Sequence, residues 1–198
     1  WDNYPYNSDS FRRIALNHEL MRGAGNGKPF VLMEQTPSSQ NWQPVNSLKR
    51  PGVMRLWSYQ AVAHGADAVL FFQLKRSIGS CEKYHGAVID HVGNKNTRVF
   101  REVTELGAEL ETLGGEILGS TQKAQTALMF DWENWWAVEY SAGPSVDLKY
   151  TDEIMNYYKA LHRRNIPVDL IGEESDMSGY KLVIEPVLYM TKPGVDER

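Results

Sequence analysis

Three short segments of this chain are apolar on consecutive residues instead of alternate ones: Phe30-Val31-Leu32-Met33, Ala68-Val69-Leu70-Phe71-Phe72 and Ala127-Leu128-Met129-Phe130. Strands that read this way are buried on both faces, which is the condition of a parallel sheet covered by helices. Helical patterns fill the intervals. Ser10 is placed to cap a first helix along Phe11, Ile14, Ala15, His18 and Met21 up to Gly23. Strand 28–33 follows. Next comes a helix opening near Pro51, with Val53, Leu56, Trp57, Gln60, Ala61 and His64 on one side, then strand 67–74. A third helix runs along Val99, Val103, Leu106, Leu110 and Leu113 and is expected to stop at Gly114-Gly115.

Strands alternating with helices give βα units. The loops after the strands are long and those after the helices short. That asymmetry favours a (β/α) barrel with its site at the strands' C-terminal ends, where Asp2 to Tyr4, Glu34 and Gln73 stand. A doubly wound sheet obeys the same end rule and is the alternative. A second α/β region follows, with strands 125–131, 166–171 and 180–190 and a helix between Asp152 and Arg164. It reads as an open parallel sheet, and Asp131 is the one acid expected at a strand end. The expected domains are therefore 1–113 and 114–198.

Composition removes several classes of function. A net charge of −4 with dispersed Lys and Arg argues against a nucleic-acid partner. The apolar runs are strand-sized, so no membrane span is expected. A single cysteine, Cys81, excludes an internal disulfide and any multi-cysteine metal site, and fits a reducing, cytoplasmic setting. The chain opens on Trp1 and closes one turn after a strand-like run, so it reads as an internal fragment of a longer protein.

Glu34 is the leading candidate for chemistry. A carboxylate that ends an apolar strand costs several kcal/mol unless it is paired or hydrogen-bonded. Here it is followed by Gln35, Thr36, Ser38, Ser39, Gln40 and Asn41 and then by Trp42, which suits a sugar site: an anion, many hydrogen-bonding groups and an aromatic platform. Taken alone, such a glutamate is more often an ion pair or a cap. The loop 73–91 adds Gln73, Arg76, Glu82, His85 and His91; Glu82 and His85 are spaced so that they could face one ligand, although a solvated charged loop is the commoner reading of such a pair. Glu82, His85, Asp90 and His91 match no common metal-ligand spacing, so no metal and no cofactor are expected. The stretch 130–140, with Trp132, Trp135 and Trp136 beside Asp131, Glu133 and Glu139, reads as core or interface ahead of a sugar subsite. His18 and His64 read as packing residues and His162 as a surface residue.

"MEQTPSSQNW", "FFQLKRSIGSCEKYHGAVIDH" and "ALMFDWENWWAVEYSAGP", in this order, resemble the β-galactosidases of glycoside hydrolase family 42 over nearly the whole chain. The resemblance implies the C-terminal portion of a TIM (β/α)8 barrel in 1–113, followed in 114–198 by part of an open, flavodoxin-like α/β trimerisation domain. It implies a retaining enzyme acting on terminal β-D-galactosyl residues, with Glu34 as nucleophile and Trp42, Glu82, His85 and Tyr4 around the galactose. It also implies a homotrimer. The family's acid/base glutamate follows an asparagine, and no Asn-Glu pair occurs in these residues, so that group is expected upstream and the fragment alone is expected to be inactive. Two alternatives stay open: a non-catalytic carbohydrate-binding module, and a glycosidase for another β-linked glycan.

Overall fold

A computed structural model describes residues 1–5, 11–141 and 143–197, so the expected Ser10 cap lies outside the described residues. The chain forms two compact units. One comprises Pro29–Ser120 and the described residues of Trp1–Asn7, and the other comprises Thr121–Arg198 and Ser8–Lys28 in their described parts.

In the first unit, β1 (Phe30–Leu32) pairs in parallel with β2 (Ala66–Val69). The ladder continues past both strands, as Leu70 N–H donates to Leu32 O at 2.9 Å, Gln35 N–H to Leu70 O at 3.1 Å and Phe72 N–H to Gln35 O at 3.0 Å. On the other side of β1, Met33 N–H donates to Trp1 O and Asn3 N–H to Glu34 O, each at 2.9 Å. Asp2 and Glu34 thereby form a parallel bridge. Three parallel segments thus lie side by side and bring their carboxyl ends together.

Helix α2 (Val53–Ala63) covers one face of these strands. Leu32, Ala61 and Ala66 form a core with Trp1, Phe30 and Val69 against it. The buried residues of α2 are Met54, Trp57, Ser58 and Ala61, and Leu56 is exposed, so its inner face is turned from the one the apolar spacing suggests. Ser58 explains the turn: its hydroxyl accepts from the buried Gln35 amide and donates to Met54 O, each at 2.9 Å. Leu32 is buried, whereas Val31 and Met33 are exposed among these residues. Helix α3 (Arg98–Ile117) is capped by Thr97, whose side chain accepts from Phe100 N–H at 3.2 Å, and is tied to α2 by Arg55–Glu109 at 2.8 Å. It runs through Gly114-Gly115 and gives way at Leu118, followed by Gly119 with φ 71°.

The second unit is a parallel sheet of order β4-β3-β5, with β3 (Thr126–Met129) between β4 (Asp169–Ile171) and β5 (Leu182–Ile184). Helices α1 (Phe11–Ala24), α4 (Trp132–Tyr140) and α5 (Tyr150–His162) complete it. Its core joins Leu16 of α1, Leu128, Ile154 and Tyr158 of α5, and Leu170. Counting outward from the termini would group α1 with 1–113, but its buried face belongs to β4 and α5. The cause is chemical: Arg22, buried on that face, bonds to Glu19 and reaches Asp169 at 2.9 Å. Gly23 approaches the Leu170 carbonyl so closely that a Cβ would stand 2.0 Å from its oxygen.

Candidate active site

Glu34 is half-buried at the carboxyl end of β1. The Tyr4 hydroxyl donates to its carboxylate at 2.6 Å, a short charge-assisted bond. Tyr4 reaches it because residues 1–3 run parallel to β1 and leave Tyr4 beside the same strand end. Burial and the adjoining Glu34 charge push the Tyr4 pKa upward, so the phenol keeps its proton and remains a donor.

Tyr4 is also one wall of an aromatic cluster. Its ring meets Trp42 edge-on at 4.7 Å and His85 at 5.9 Å, while Trp42 stacks on His85 at 5.0 Å and Phe72 closes on His85 at 5.1 Å. Trp42 presents the exposed side of this wall and His85 the buried side. His85 Nδ1 lies 3.0 Å from Gly86 O, whereas Nε2 is buried with no hydrogen-bond partner among the described residues. Burial pulls the His85 pKa down, which favours the neutral ring. Glu82 Oε2 is likewise buried without a partner, and its charge acts on both Tyr4 and His85. Asn3 Nδ2 and Gln73 Nε2 are two more unpartnered buried donors on neighbouring segments. Unsatisfied buried polar atoms of this kind are suited to the hydroxyl groups of a ligand.

Each residue singled out around Glu34 has a definite place. Tyr4, Glu34, Trp42 and His85 form one cluster, and Glu82 acts on it through its charge. Arg76 clamps the loop that carries Glu82 and His85, donating to Lys83 O at 3.2 Å, Tyr84 O at 3.1 Å and Asp90 at 3.0 Å. His91 contacts Ser77 O at 2.7 Å. Among the described residues no group of three His, Cys, Asp or Glu side chains is placed to hold a metal ion. Phe72 and Gln40, whose amide donates to Tyr4 O at 3.0 Å, support the site without a motif that would reveal it. In the second unit, Asp131 caps α4 by accepting from Asn134 N–H at 2.7 Å. It is not the only acid at those strand ends, because Glu173 and Glu174 follow β4 and share Lys192 with it, beside a cavity of about 400 Å³.

Parallel strands covered by helices define an α/β protein, and the carboxylate, phenol and aromatic wall gathered at the strand carboxyl ends form a candidate site where such sheets bind ligands. The family model of glycoside hydrolase family 42, β-galactosidase, matches residues 1–113, that of the β-galactosidase trimerisation domain matches 124–198, and the chain belongs to this family. The β-galactosidase BgaA of Planococcus sp. (strain 'SOS Orange') is 61% identical over 98% of this chain and 29% of its own length. A crystal structure of β-galactosidase from Bacillus circulans sp. alkalophilus is 62% identical with a TM-score of 0.97, covering 100% of this chain and 29% of that one. The β-galactosidase of the haloarchaeon Halorubrum lacusprofundi, at 30% identity, still superposes with a TM-score of 0.87, over 100% of this chain and 31% of that one. The chain thus spans about 30% of the length of these relatives.

Proposed function

We propose that this chain carries the nucleophile side of a retaining β-galactosidase. The observation that supports it best is the Tyr4 hydroxyl held 2.6 Å from Glu34 beside the Trp42–His85 stack. In the proposed reaction a Glu34 oxygen bonds to the anomeric carbon as the glycosidic bond breaks, and the leaving oxygen takes a proton from a second carboxyl. That acid lies outside residues 1–198. Water then attacks the anomeric carbon, giving its proton to the same group and releasing Glu34. Tyr4 acts through Glu34, orienting the attacking carboxylate. Trp42 offers its face to the apolar side of the galactose, and Glu82 and His85 Nε2 bind its hydroxyl groups.

In the same reading, 1–113 is the C-terminal part of a TIM barrel, and 114–198 is the N-terminal part of a flavodoxin-like domain that joins three copies. The protein works in the cytoplasm, where the exposed thiol of Cys81 stays reduced. No helix among the described residues is long and apolar enough to cross a membrane.

The test uses the full-length enzyme. Glu34→Gln keeps the shape of the side chain and removes the nucleophile, so kcat should collapse while ligand affinity is largely kept. In Glu34→Gly, azide can occupy the vacated space and attack an activated substrate, giving the α-glycosyl azide. A Glu34→Gln variant retaining more than about a few per cent of wild-type kcat, or a β-configured azide product, would overturn the assignment.

A further inference from the structure

Lysine is seldom fully buried, because its ammonium gives up water on leaving the surface. Lys49 is nevertheless only 7% exposed, in the segment between the Trp42 loop and α2. Its ammonium donates to Ser38 O at 3.0 Å and stands 5.0 Å above the Trp57 ring of α2. No ion pair engages it among the described residues. Its carbonyl accepts from Arg98 of α3 at 2.9 Å, so its backbone is pinned to one helix and its head group to the other.

The atom it holds is coupled to the site. Ser38 lies four residues beyond Glu34, and the next carbonyl, Ser39 O, accepts from Gly86 N–H at 2.7 Å and from the Thr36 hydroxyl at 3.1 Å. Gly86 adjoins His85 and is pressed so closely on this loop that a Cβ there would meet Ser38 Cβ and Ser39 N at 2.7 Å. Ser38 therefore cannot shift without moving the turn that carries His85.

We propose that Lys49 is a positioning residue of the reaction: its ammonium, seated on Trp57, fixes Ser38 and so sets the His85 turn beside Glu34, and it does this as a charged group. The inference rests on the site assignment made under Proposed function. The charged and titratable groups around Lys49 are His85 from the loop after β2, Arg98 with its partner Glu102 from α3, and its chain neighbour Arg50; α2 presents the uncharged Trp57. Burial pulls the Lys49 pKa down to about 7. The charged hold is therefore complete below that pH and is lost as the pH rises through it. The neutral amine can still donate to Ser38, but it loses the charge-assisted bond and the attraction to the ring.

The test is the pH dependence of kcat/KM for the full-length enzyme as wild type, Lys49→Arg and Lys49→Met, with thermal unfolding to establish that each variant is folded. Arginine stays charged throughout. Wild type should show a basic limb near pH 7 to which Lys49 and the proton-donating carboxyl both contribute. In Lys49→Arg the Lys49 contribution should move up by more than about one pH unit, and in Lys49→Met it should vanish and leave the carboxyl limb alone, with kcat/KM about 10-fold or more below the acid-side wild-type value. If Lys49→Arg does not fold, Lys49→Met, which conserves volume, decides the question. A wild-type limb described by the carboxyl ionisation alone, or one unmoved in the folded variants, overturns the proposal whatever the rates. Glu34→Gln separates the two levels: if it also keeps its turnover the site assignment fails, and if it collapses while the limb stays, only the role of Lys49 fails.

Discussion

A phenol placed against a carboxylate can bind substrate or orient its neighbour, and the bond from Tyr4 to Glu34 favours the second. Its hydroxyl has one proton to give, and it is given to Glu34. The ring meanwhile contacts Trp42 and His85. Tyr4→Phe therefore removes one donor and keeps the aromatic wall. A hydrogen bond to a charged group contributes about 1.5–3 kcal/mol, so kcat of the full-length enzyme should fall by about 10- to 150-fold with little change in KM. A tyrosine that chiefly gripped the sugar would raise KM instead, and steady-state kinetics on a chromogenic β-galactoside distinguishes the two. The sequence exposes Glu34 and its polar loop, because an acid directly after an apolar run stands out. It does not expose the Tyr4–Glu34 bond, which depends on residues 30 positions apart meeting across a parallel ladder. Lys49 is hidden for a related reason: between Leu48 and Arg50 it looks like an ordinary surface cation.

Between elements, close approach governs placement more than apolar spacing does. The seat of α1 on β4 depends on Gly23, where any side chain would strike the Leu170 carbonyl, a backbone atom that cannot turn aside. Gly23→Ala should accordingly destabilise the second unit by about 1–3 kcal/mol or more despite the better helix propensity of alanine, which lowers an exposed helix's free energy by about 0.8–1.0 kcal/mol. Denaturant unfolding followed by far-UV circular dichroism measures the sign, and a stabilised Gly23→Ala would contradict this account of the contact. Most helices and strands of both units are legible in the sequence as alternating apolar segments. Three features are not. The inner face of α2 is turned by the Gln35–Ser58 bond, a polar preference that hydrophobic spacing does not register. α3 passes through Gly114-Gly115 because glycine weakens a helix without ending it, and the positive φ that accompanies the stop falls at Gly119. α4 lies in a tryptophan-rich stretch whose composition suggests an interface before it suggests a helix, although Asp131 followed by Asn134 is its cap.

At the scale of the whole molecule, α4 sorts its aromatic residues by direction. Trp135 faces inward, stacked on Tyr150 at 6.4 Å, whereas Trp132, Trp136 and Tyr140 recur every fourth residue and are exposed, forming one stripe along the helix. An aromatic stripe of this kind is unusual on a surface that meets only water and is the composition of an interface core. With the trimerisation-domain match over 124–198, the stripe is our candidate for the contact between copies in the full-length protein. Burying one large apolar side chain contributes about 1.5–3 kcal/mol, so Trp132→Ser with Trp136→Ser should weaken self-association by at least about 100-fold. Sedimentation at micromolar concentration should then find a trimer for the wild type and smaller species for the double variant. Trp132 also meets the buried Phe130 edge-on at 4.9 Å and stacks on Trp135 at 5.5 Å, so Trp136→Ser alone, whose circular dichroism spectrum should be unchanged, serves as the control for folding. A double variant that sediments as the wild type does, at every concentration down to the nanomolar range, would place the contact on another surface.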